Sequence, residues 1–244
     1  MQYLAYNRPY GKSARKLAEA MHLTPLRFGR MPRLGTAIAW GAPSVPTPAL
    51  NGSISVNKLE HLQTWKSADL QSLPFSTSMV ESWMPRSGTS FGGRDFLAGR
   101  QMVPQYWTKP VLDVKMEYRV HLCRLPGQVR GNPSSYRVIR LGYKVNADPG
   151  LNIKSHGVPI RSRQFGWHLK YFSPENLGRN LQNKLSLLSR WAIATIGWDF
   201  GAIDVLHTED NQYVLLEANS APGLLDDNTC RAYANALSEV IDVG

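Results

Sequence analysis

The sequence is poor in the residues that build disulfide and zinc frameworks. It has only two cysteines, Cys123 and Cys230, which lie far apart and show no Cys-x-x-Cys spacing. A disulfide framework and a zinc site are therefore not expected, and the cysteine usage favours a reducing compartment. The six histidines form no His-Glu-x-x-His pair, so a zinc hydrolase has no support, and no Gly-x-Ser-x-Gly elbow occurs.

Long apolar runs are also missing. No window approaches the roughly eighteen uninterrupted apolar residues of a membrane helix, so no membrane span is expected. The first residues lack a basic region followed by a long apolar stretch, and no secretory signal is evident. Together with the cysteine usage, this predicts a cytoplasmic protein.

Three familiar nucleotide-binding signatures are absent or isolated. The chain contains neither the P-loop pattern G-x-x-x-x-G-K-[ST] nor the Rossmann pattern G-x-G-x-x-G. Residues 199–201 spell the Asp-Phe-Gly triplet of protein kinases, but no His-Arg-Asp loop precedes it. A Gly-rich loop followed by a strand lysine near the N-terminus is missing too, so we interpret the triplet as coincidental.

Basic and aromatic residues are plentiful. The 244 residues carry a formal net charge of +10 with a pI near 9.8, which predicts attraction to polyanions: nucleic acid, a nucleotide or an acidic substrate. Composition does not choose among these. The basic residues are dispersed and match no nucleic-acid reader motif. Seven Trp, seven Phe and ten Tyr indicate a folded chain, long enough for one large or two small domains.

The first 48 residues predict a small β-α-β-β unit. Residues 2–6 are a strand, Ser13 is expected to cap a helix, and residues 26–28 and 36–40 are further strands. A Pro-rich loop at 41–48 is the first internal boundary.

The next stretch contains a loop with two interpretations. A helix carrying Leu59, Leu62 and Trp65 on one side leads to a strand at 79–84. Residues 85–94 then form a loop rich in Gly and Ser with an arginine near each end. Its exposed backbone N–H groups can close over a triphosphate, or it is an ordinary loop. Residues 102–107 follow as an extended apolar segment.

The strand at 115–124 alternates, placing Glu117, Arg119 and His121 on one face. This face is either solvated or lines a cleft. Residues 136–144 are expected to pair with it, and 145–163 to form a long loop that can act as a flexible cover. A core helix is predicted from an N-cap at Ser173 to a stop at Gly197, and a last helix at 228–241.

A hairpin of strands 202–206 and 213–218 carries the polar group that organises these predictions. Glu217 and Asn219 are two apart and point the same way, and Asp204 can face them across the ladder. Two carboxylates and an amide oxygen form a hard-oxygen site suited to Mg²⁺. An amphipathic hairpin with a wet polar face is the alternative.

In this order, the elements resemble those of the ATP-grasp superfamily, and most closely its short bacteriophage-type proteins. The most specific part is Asp204, then Glu217 thirteen positions on, then Asn219 and Pro-Gly at 222–223, similar to the family's metal signature. The sequence EYRVH at 117–121 resembles a strand of the same proteins. The resemblance implies an α+β class with the ATP-grasp fold, in which two α+β subdomains grip ATP. Its subdomains are expected at 49–108 and 109–244, preceded by the small α/β unit at 1–48.

The resemblance also implies site roles. Asp204, Glu217 and Asn219 would hold one or two Mg²⁺ ions, with Mn²⁺ as a substitute, and Glu117 would bind the ribose hydroxyls of ATP. Arg86 stands where many members carry a phosphate-binding lysine, residues 87–93 would cover the phosphates, and 105–107 with Lys109 would receive adenine. The nucleotide-binding residues implied besides Glu117 are Lys58, Arg86, Ser90, Gly92, Gly93, Gln105, Tyr106, Trp107, Lys109 and Lys144. Arg119, His121, Arg161 and Arg163 are left for the acyl substrate or the transferring phosphate, and a solvated surface charge stays the alternative for Lys58 and Arg163.

The implied activity is an ATP-dependent carboxylate–amine or carboxylate–thiol ligase that works through an acyl phosphate on a peptide, protein or amino acid. The alternative is a basic nucleotide- or nucleic-acid-binding protein that keeps the fold without ligase activity. The oligomeric state stays open, with a dimer as one possibility.

Overall fold

A computed structural model describes residues 2–7, 10–27, 35–42, 45, 49–87, 104–148, 150, 154–155, 157–172, 177–224 and 226–242. Within them, no helix is long and apolar enough to cross a membrane.

The N-terminal elements follow the predicted order. They are β1 (Tyr3–Tyr6), α1 (Gly11–Ala20), β2 (Thr24–Arg27) and β3 (Thr36–Trp40), with the strands parallel in the order β2-β1-β3. The predicted helix cap is wrong. Helix α1 begins at Gly11 after Tyr10, and Ser13 lies inside it, where its Oγ accepts the backbone N–H of Leu224 at 3.0 Å.

These elements share an apolar core with the last helix, α4 (Asp227–Asp242). Leu17 of α1 belongs to the same buried cluster as Tyr233 and Leu237, and Trp40 of β3 stacks on Phe200 at 5.4 Å. The first 48 residues therefore pack as part of one body with the C-terminal half, and their division as a separate unit stays a prediction.

A five-stranded antiparallel sheet forms the centre of the protein. Its strands are β7 (Val114–Arg124), β8 (Tyr136–Asn146), β11 (Trp167–Tyr171), β12 (Phe200–Thr208) and β13 (Tyr213–Asn219), in the order β11-β8-β7-β12-β13. The predicted hairpin at 202–218 is confirmed as β12 and β13. Strand β12 is buried along its whole length.

One face of this sheet is covered by α2 (Lys58–Ser67) and α3 (Arg179–Thr195). Val120 and Ile203 from the sheet pack in one cluster with Trp65 and Ile193, and the Trp65 indole N–H donates to the Ala192 carbonyl at 2.9 Å. Since side chains alternate, the opposite face carries the polar residues of β7, β12 and β13.

The beginning of α3 differs from its prediction. The helix begins at Arg179 after Gly178, whereas the expected N-cap Ser173 and its following Pro174 lie outside the described residues. Its predicted end holds, because Gly197 adopts φ +70° just beyond the last turn.

A small antiparallel sheet, in the order β4-β6-β5, faces the polar side of the large one. Its strands are β4 (Phe75–Ser76), β5 (Met84–Arg86) and β6 (Tyr106–Thr108). The strand predicted at 79–84 is wrong, since the strand starts at Met84 and Met79 is 76 % exposed. The predicted loop at 145–163 contains a short hairpin, β9 (Lys154–Ser155) with β10 (Val158–Pro159).

A buried ionic cluster closes the end of the large sheet. The Asp199 carboxylate accepts hydrogen bonds from the Asn51 backbone N–H at 2.7 Å, from Arg124 Nε at 2.8 Å and from Arg130 Nε at 2.9 Å. The Asn51 side chain in turn accepts the Asp199 N–H at 2.7 Å. Asp199 therefore fastens the turn at 49–52 to the start of β12 and to the end of β7.

Candidate active site

A cavity of about 700 Å³ lies against the polar face of the large sheet. Its walls come from β7, β8, β11, β12 and β13, from β5, from the start of α1 and from the segment 159–163. Eight cationic side chains and three carboxylates line it: Lys12, Lys58, Arg86, Lys109, Arg119, Lys144, Arg161 and Arg163, with Glu117, Glu217 and Asp226. This excess of positive charge suits a polyanionic ligand.

Three carboxylates stand on adjacent strands beside this cavity, each paired with a cation. Asp204 of β12 lies opposite Glu217 of β13 and opposite Arg119 of β7. Arg119 binds both oxygens of Asp204 at 2.6 Å, and Lys58 Nζ lies 2.6 Å from Glu217 Oε2. Glu117 pairs with Lys144. The predicted clustering of Asp204 with Glu217 and the predicted common face of Glu117 and Arg119 are therefore both present.

The surroundings shift the pKa values of Glu117 and Glu217 in opposite directions. Burial raises the pKa of Glu117, and the nearby Lys144 offsets only part of that cost. Burial would raise the pKa of Glu217 as well, but Lys58 and Lys144 outweigh it and hold that pKa well below its usual range. Glu217 therefore keeps its negative charge at neutral pH beside the cavity.

The donor set at the hairpin fits a magnesium ion. Asn219 Nδ2 lies 3.2 Å from Glu217 Oε1 and 3.4 Å from Asp204 Oδ2, so two carboxylates and one amide converge. A 180° turn of the Asn219 amide presents its oxygen to the same spot, completing a hard-oxygen set. Glu217 and Asn219 line the cavity, whereas Asp204 lies behind Arg119 with its side chain 1 % exposed. Direct ligation by Asp204 requires Arg119 to move. Among the described residues, no group of three or more His, Cys, Asp or Glu side chains could hold a metal ion. The site therefore depends on the Asn219 amide as its third ligand.

The remaining cations give the cavity its net charge. Within the described ranges, Lys12, Lys109, Arg161 and Arg163 form no ion pair with a carboxylate. Arg161 is held instead by the Val114 carbonyl at 3.2 Å and lies 5.2 Å from the Trp167 ring centroid. These charges are positioned and available to an anionic ligand.

Another part of the cavity wall is apolar and was missed by the sequence analysis. It is formed by residues from both sheets and from the loops beside them: Leu73, Met84, Val111, Val114, Leu206 and Leu216. Such a surface suits the flat face of a heteroaromatic ring. Apolar side chains in strands look like core residues in a sequence, so no motif could have distinguished them.

Most predicted site residues line the cavity. These are Lys58, Arg86, Lys109, Glu117, Arg119, Lys144, Arg161, Arg163, Glu217 and Asn219. His121 lies behind the wall, fully buried. Gln105, Tyr106 and Trp107 are not among the lining residues; Tyr106 is 3 % exposed and packs in the main core. Ser90, Gly92 and Gly93 lie outside the described residues.

Several lining residues were not predicted as site residues. Tyr10, Lys12 and Ser13 at the start of α1 reach the cavity, as do Tyr171 of β11 and Asp226. Their sequence positions gave no signal. The residues at the start of α1 reach this face through the packing of α1 against α4, and Tyr171 reaches it through the pairing of β11 with β8.

Comparison with solved structures gives the same architecture. The whole chain matches 78 % of a carboxyaminoimidazole ribonucleotide synthase from Aspergillus clavatus complexed with ATP, with a TM-score of 0.63 and 12 % identity. The D-alanyl-alanine synthetase A of Vibrio cholerae matches with a TM-score of 0.60 and 11 % identity, over 99 % of both chains. The ATP-grasp ligase PsnB, complexed with a minimal precursor, matches with a TM-score of 0.58 and 12 % identity, over 98 % of this chain and 99 % of that one.

The protein therefore has the ATP-grasp fold, and the α+β class and ATP-grasp architecture expected from the sequence are confirmed. No protein-family model and no curated protein sequence matches the chain. The closer likeness to bacteriophage-type members stays a prediction.

Proposed function

We propose that the protein is a Mg²⁺- and ATP-dependent ligase that joins a carboxylate to an amine. The observation that carries this proposal is the cavity itself, which combines three features in one space on an ATP-grasp fold. These are an apolar wall, a dense set of cations, and the Asp204–Glu217–Asn219 group. Structures with this fold and with ATP, or with Mg and ADP, include the synthase and PsnB.

ATP fits this cavity in one direction. The apolar wall around Val114 and Leu216 suits the adenine ring, and Glu117, on the same strand as Val114, would bind the ribose hydroxyls. The phosphates then meet Lys144, Arg161 and Lys109, which offset their charge. Arg86, whose Nε donates to Thr108 Oγ1 at 3.0 Å, adds a further cation on this side.

The metal is expected at the hairpin. Glu217 and Asn219 would hold Mg²⁺ at the cavity wall, and Asp204 would support them from behind or join them once Arg119 moves. Bound there, Mg²⁺ would supply charge stabilisation to the nucleotide phosphates. Mn²⁺ offers the same chemistry.

The reaction needs positioning and charge more than a protein nucleophile. An oxygen of the substrate carboxylate attacks the γ-phosphorus, the bond from that phosphorus to the β,γ-bridging oxygen breaks, and ADP leaves with its electron pair. The amine nitrogen then attacks the acyl carbon of the resulting acyl phosphate. The carbon–oxygen bond to phosphate breaks, and the amine loses a proton. Arg119 and Arg161, which both line the cavity, would stabilise the negative charge on the transferring phosphoryl group.

The direct test is ATP turnover by Glu217→Gln. The protein is incubated with ATP, Mg²⁺ and a cell lysate, and ADP and new amide products are followed by mass spectrometry. The substitution is expected to lower ADP formation by about a hundredfold or more, since it removes the charge at the metal position. Glu209→Gln, on the exposed turn after β12, is the matched control and should keep wild-type turnover. Full activity of Glu217→Gln would contradict the metal assignment.

The positive net charge supports a second candidate function, a nucleotide- or nucleic-acid-binding protein without ligase activity. It predicts no melting shift with Mg-ATP and a DNA affinity that falls steeply with salt. The ligase proposal predicts a rise in Tm with Mg-ATP and no strong salt-dependent affinity for DNA. One set of thermal melts and one salt titration therefore separate the two.

A further inference from the structure

A chain of hydrogen bonds runs inward from the cavity wall behind the proposed phosphate site. Tyr171 lines the cavity, and its hydroxyl lies 3.4 Å from His121 Nε2. On the other side of the ring, His121 Nδ1 lies 3.1 Å from the Tyr233 hydroxyl, which lies 2.9 Å from the Gly201 carbonyl oxygen. His121 and Tyr233 are completely buried.

The protein carbonyl at the inner end fixes the direction of every bond. A carbonyl oxygen has no proton, so the single Tyr233 hydroxyl proton must lie between it and Gly201. The Tyr233 oxygen can then only accept from His121, which places a proton on Nδ1. In a neutral imidazole Nε2 is therefore bare, and it accepts the Tyr171 hydroxyl proton.

His121 is surrounded by groups that keep it neutral. Burial, with Arg119 on its own strand and Arg140 opposite it on β8, lowers its pKa well below the usual value. The groups that face it from β11 and α4 are the phenols Tyr171 and Tyr233, and Ala202 lies opposite it on β12. No carboxylate among the described residues pairs with His121.

Gly142 gives Tyr171 the space to lean towards His121. The two residues lie opposite each other on β8 and β11, and a Cβ on Gly142 would come within 2.9 Å of Tyr171 Cδ1. Gly142 also lies opposite Arg119, which lies opposite Asp204. Tyr171 thus occupies the same row across the sheet as Arg119, Asp204 and Glu217, the row at which the acyl phosphate would form.

We propose that Tyr171 is the hydrogen-bond acceptor for an N–H of the substrate's amine, and that His121, fixed by Tyr233, is the positioning residue that keeps Tyr171 in this role. This proposal rests on the ligase function proposed above. Because the Tyr171 proton is directed inward, its oxygen offers only lone pairs to the cavity. A group there must donate a hydrogen bond, as an amine does and a carboxylate or phosphate oxygen does not.

The first test measures the tautomer of His121 directly. In ¹⁵N-histidine-labelled full-length protein, His121 should show a protonated Nδ1 and a bare Nε2 at neutral pH. A protonated Nε2, or a charged ring at neutral pH, would overturn the positioning role. Tyr233→Phe should abolish the preference for Nδ1–H.

The second test uses a matched pair of uncharged probes. Methoxyamine donates N–H bonds, whereas N,N,O-trimethylhydroxylamine has none, and both are titrated by NMR. The ratio of the methoxyamine affinity to the trimethylhydroxylamine affinity should be about three- to tenfold larger in wild type than in Tyr171→Phe. This factor corresponds to the free energy of one hydrogen bond. His121→Gln keeps an acceptor for Tyr171 and should retain the preference, whereas His121→Leu should lose it.

An equal preference in wild type and Tyr171→Phe would overturn the amine assignment. Neither measurement involves ATP, so such a result leaves Mg-ATP turnover to decide the ligase function. Conversely, a wild-type protein without turnover but with the expected tautomer and probe preference would overturn the ligase function alone.

Discussion

Two buried aspartates five residues apart, Asp199 and Asp204, show how similar ion pairs serve different ends. Each has a side chain 1 % exposed and each is bound by arginine. Asp199 lies at the end of the sheet, where two arginines and a backbone N–H occupy its oxygens, and it does not line the 700 Å³ cavity. Asp204 lies in mid-sheet beside Glu217, behind the wall of a large cavity. The buried ion pair therefore does not distinguish the two aspartates. The second carboxylate and the adjoining cavity do, and the proposed metal site rests on these.

The largest effect that distinguishes the Asp199 cluster from the Asp204 cluster is the loss of stability expected for Asp199→Asn. It leaves the guanidinium groups of Arg124 and Arg130 without their carboxylate in a largely buried cluster, so the free energy of unfolding should fall by about 3 kcal/mol. Denaturant unfolding measures this. Glu209→Gln should stay within about 0.5 kcal/mol of wild type.

The same variant should keep its nucleotide affinity within about twofold, measured below its melting temperature, because Asp199 does not line the cavity. A stable Asp199→Asn protein, or one that folds but no longer binds Mg-ATP, would contradict the separation of the two clusters.

Asp199 should contribute to the loss of stability at acid pH. Burial would raise the pKa of this carboxyl, but hydrogen bonds from Arg130 and Asn51 lower it overall. A carboxylate with a depressed folded pKa contributes stability that is present above the unfolded pKa of about 3.9 and is lost as pH falls through the folded value. The difference in unfolding free energy between wild type and Asp199→Asn should therefore be constant above about pH 5 and shrink below about pH 4. A difference that grows towards low pH would be incompatible with this assignment.

Glu217→Gln should behave oppositely to Asp199→Asn, with lost activity and nearly unchanged stability. It loses turnover, yet its free energy of unfolding should change by no more than about 1 kcal/mol, because the Glu217–Lys58 pair is partly exposed at the cavity wall. Urea unfolding beside the turnover assay checks this. A loss comparable to that of Asp199→Asn would mean that Glu217 is a structural anchor instead.

The smallest effect is expected for the cations at the cavity edge. Lys109→Met should weaken Mg-ATP binding about threefold, since an exposed charge interacts with phosphate through solvent. Lys170→Met changes the net charge equally, but Lys170 does not line the cavity and its variant should bind as wild type. Equal losses in both would indicate that overall charge, not the cavity, attracts the nucleotide.

The large sheet and its polar row were predictable because they follow from local rules. Alternation fixes the common face of Glu117 and Arg119, and the hairpin register brings Glu217 opposite Asp204. These depend on neighbours along the chain and on one turn. The same holds for the end of α3 at Gly197.

What the sequence did not reveal depends on packing between distant segments. Ser13 suits a helix cap, but it lies inside α1, where its hydroxyl meets Leu224 across 211 positions. Asp199 belonged to a triplet interpreted as coincidental, and only the fold shows it joined to Asn51 and Arg124. Tyr171 looks like an ordinary strand residue until Gly142 is seen to leave space beside it. None of these partners is near in sequence, so no local pattern could indicate them.

The most direct test of the central claim, that Glu217 and the surrounding cavity bind ATP with magnesium, is a thermal melt with and without Mg-ATP. At a nucleotide concentration about a hundredfold above Kd, the wild-type Tm should rise by about 5 to 10 °C, and the rise should need Mg²⁺. In Glu217→Gln most of this rise should disappear, while Glu209→Gln keeps it. A wild-type Tm unmoved by Mg-ATP, or an equal rise in Glu217→Gln, would contradict the account.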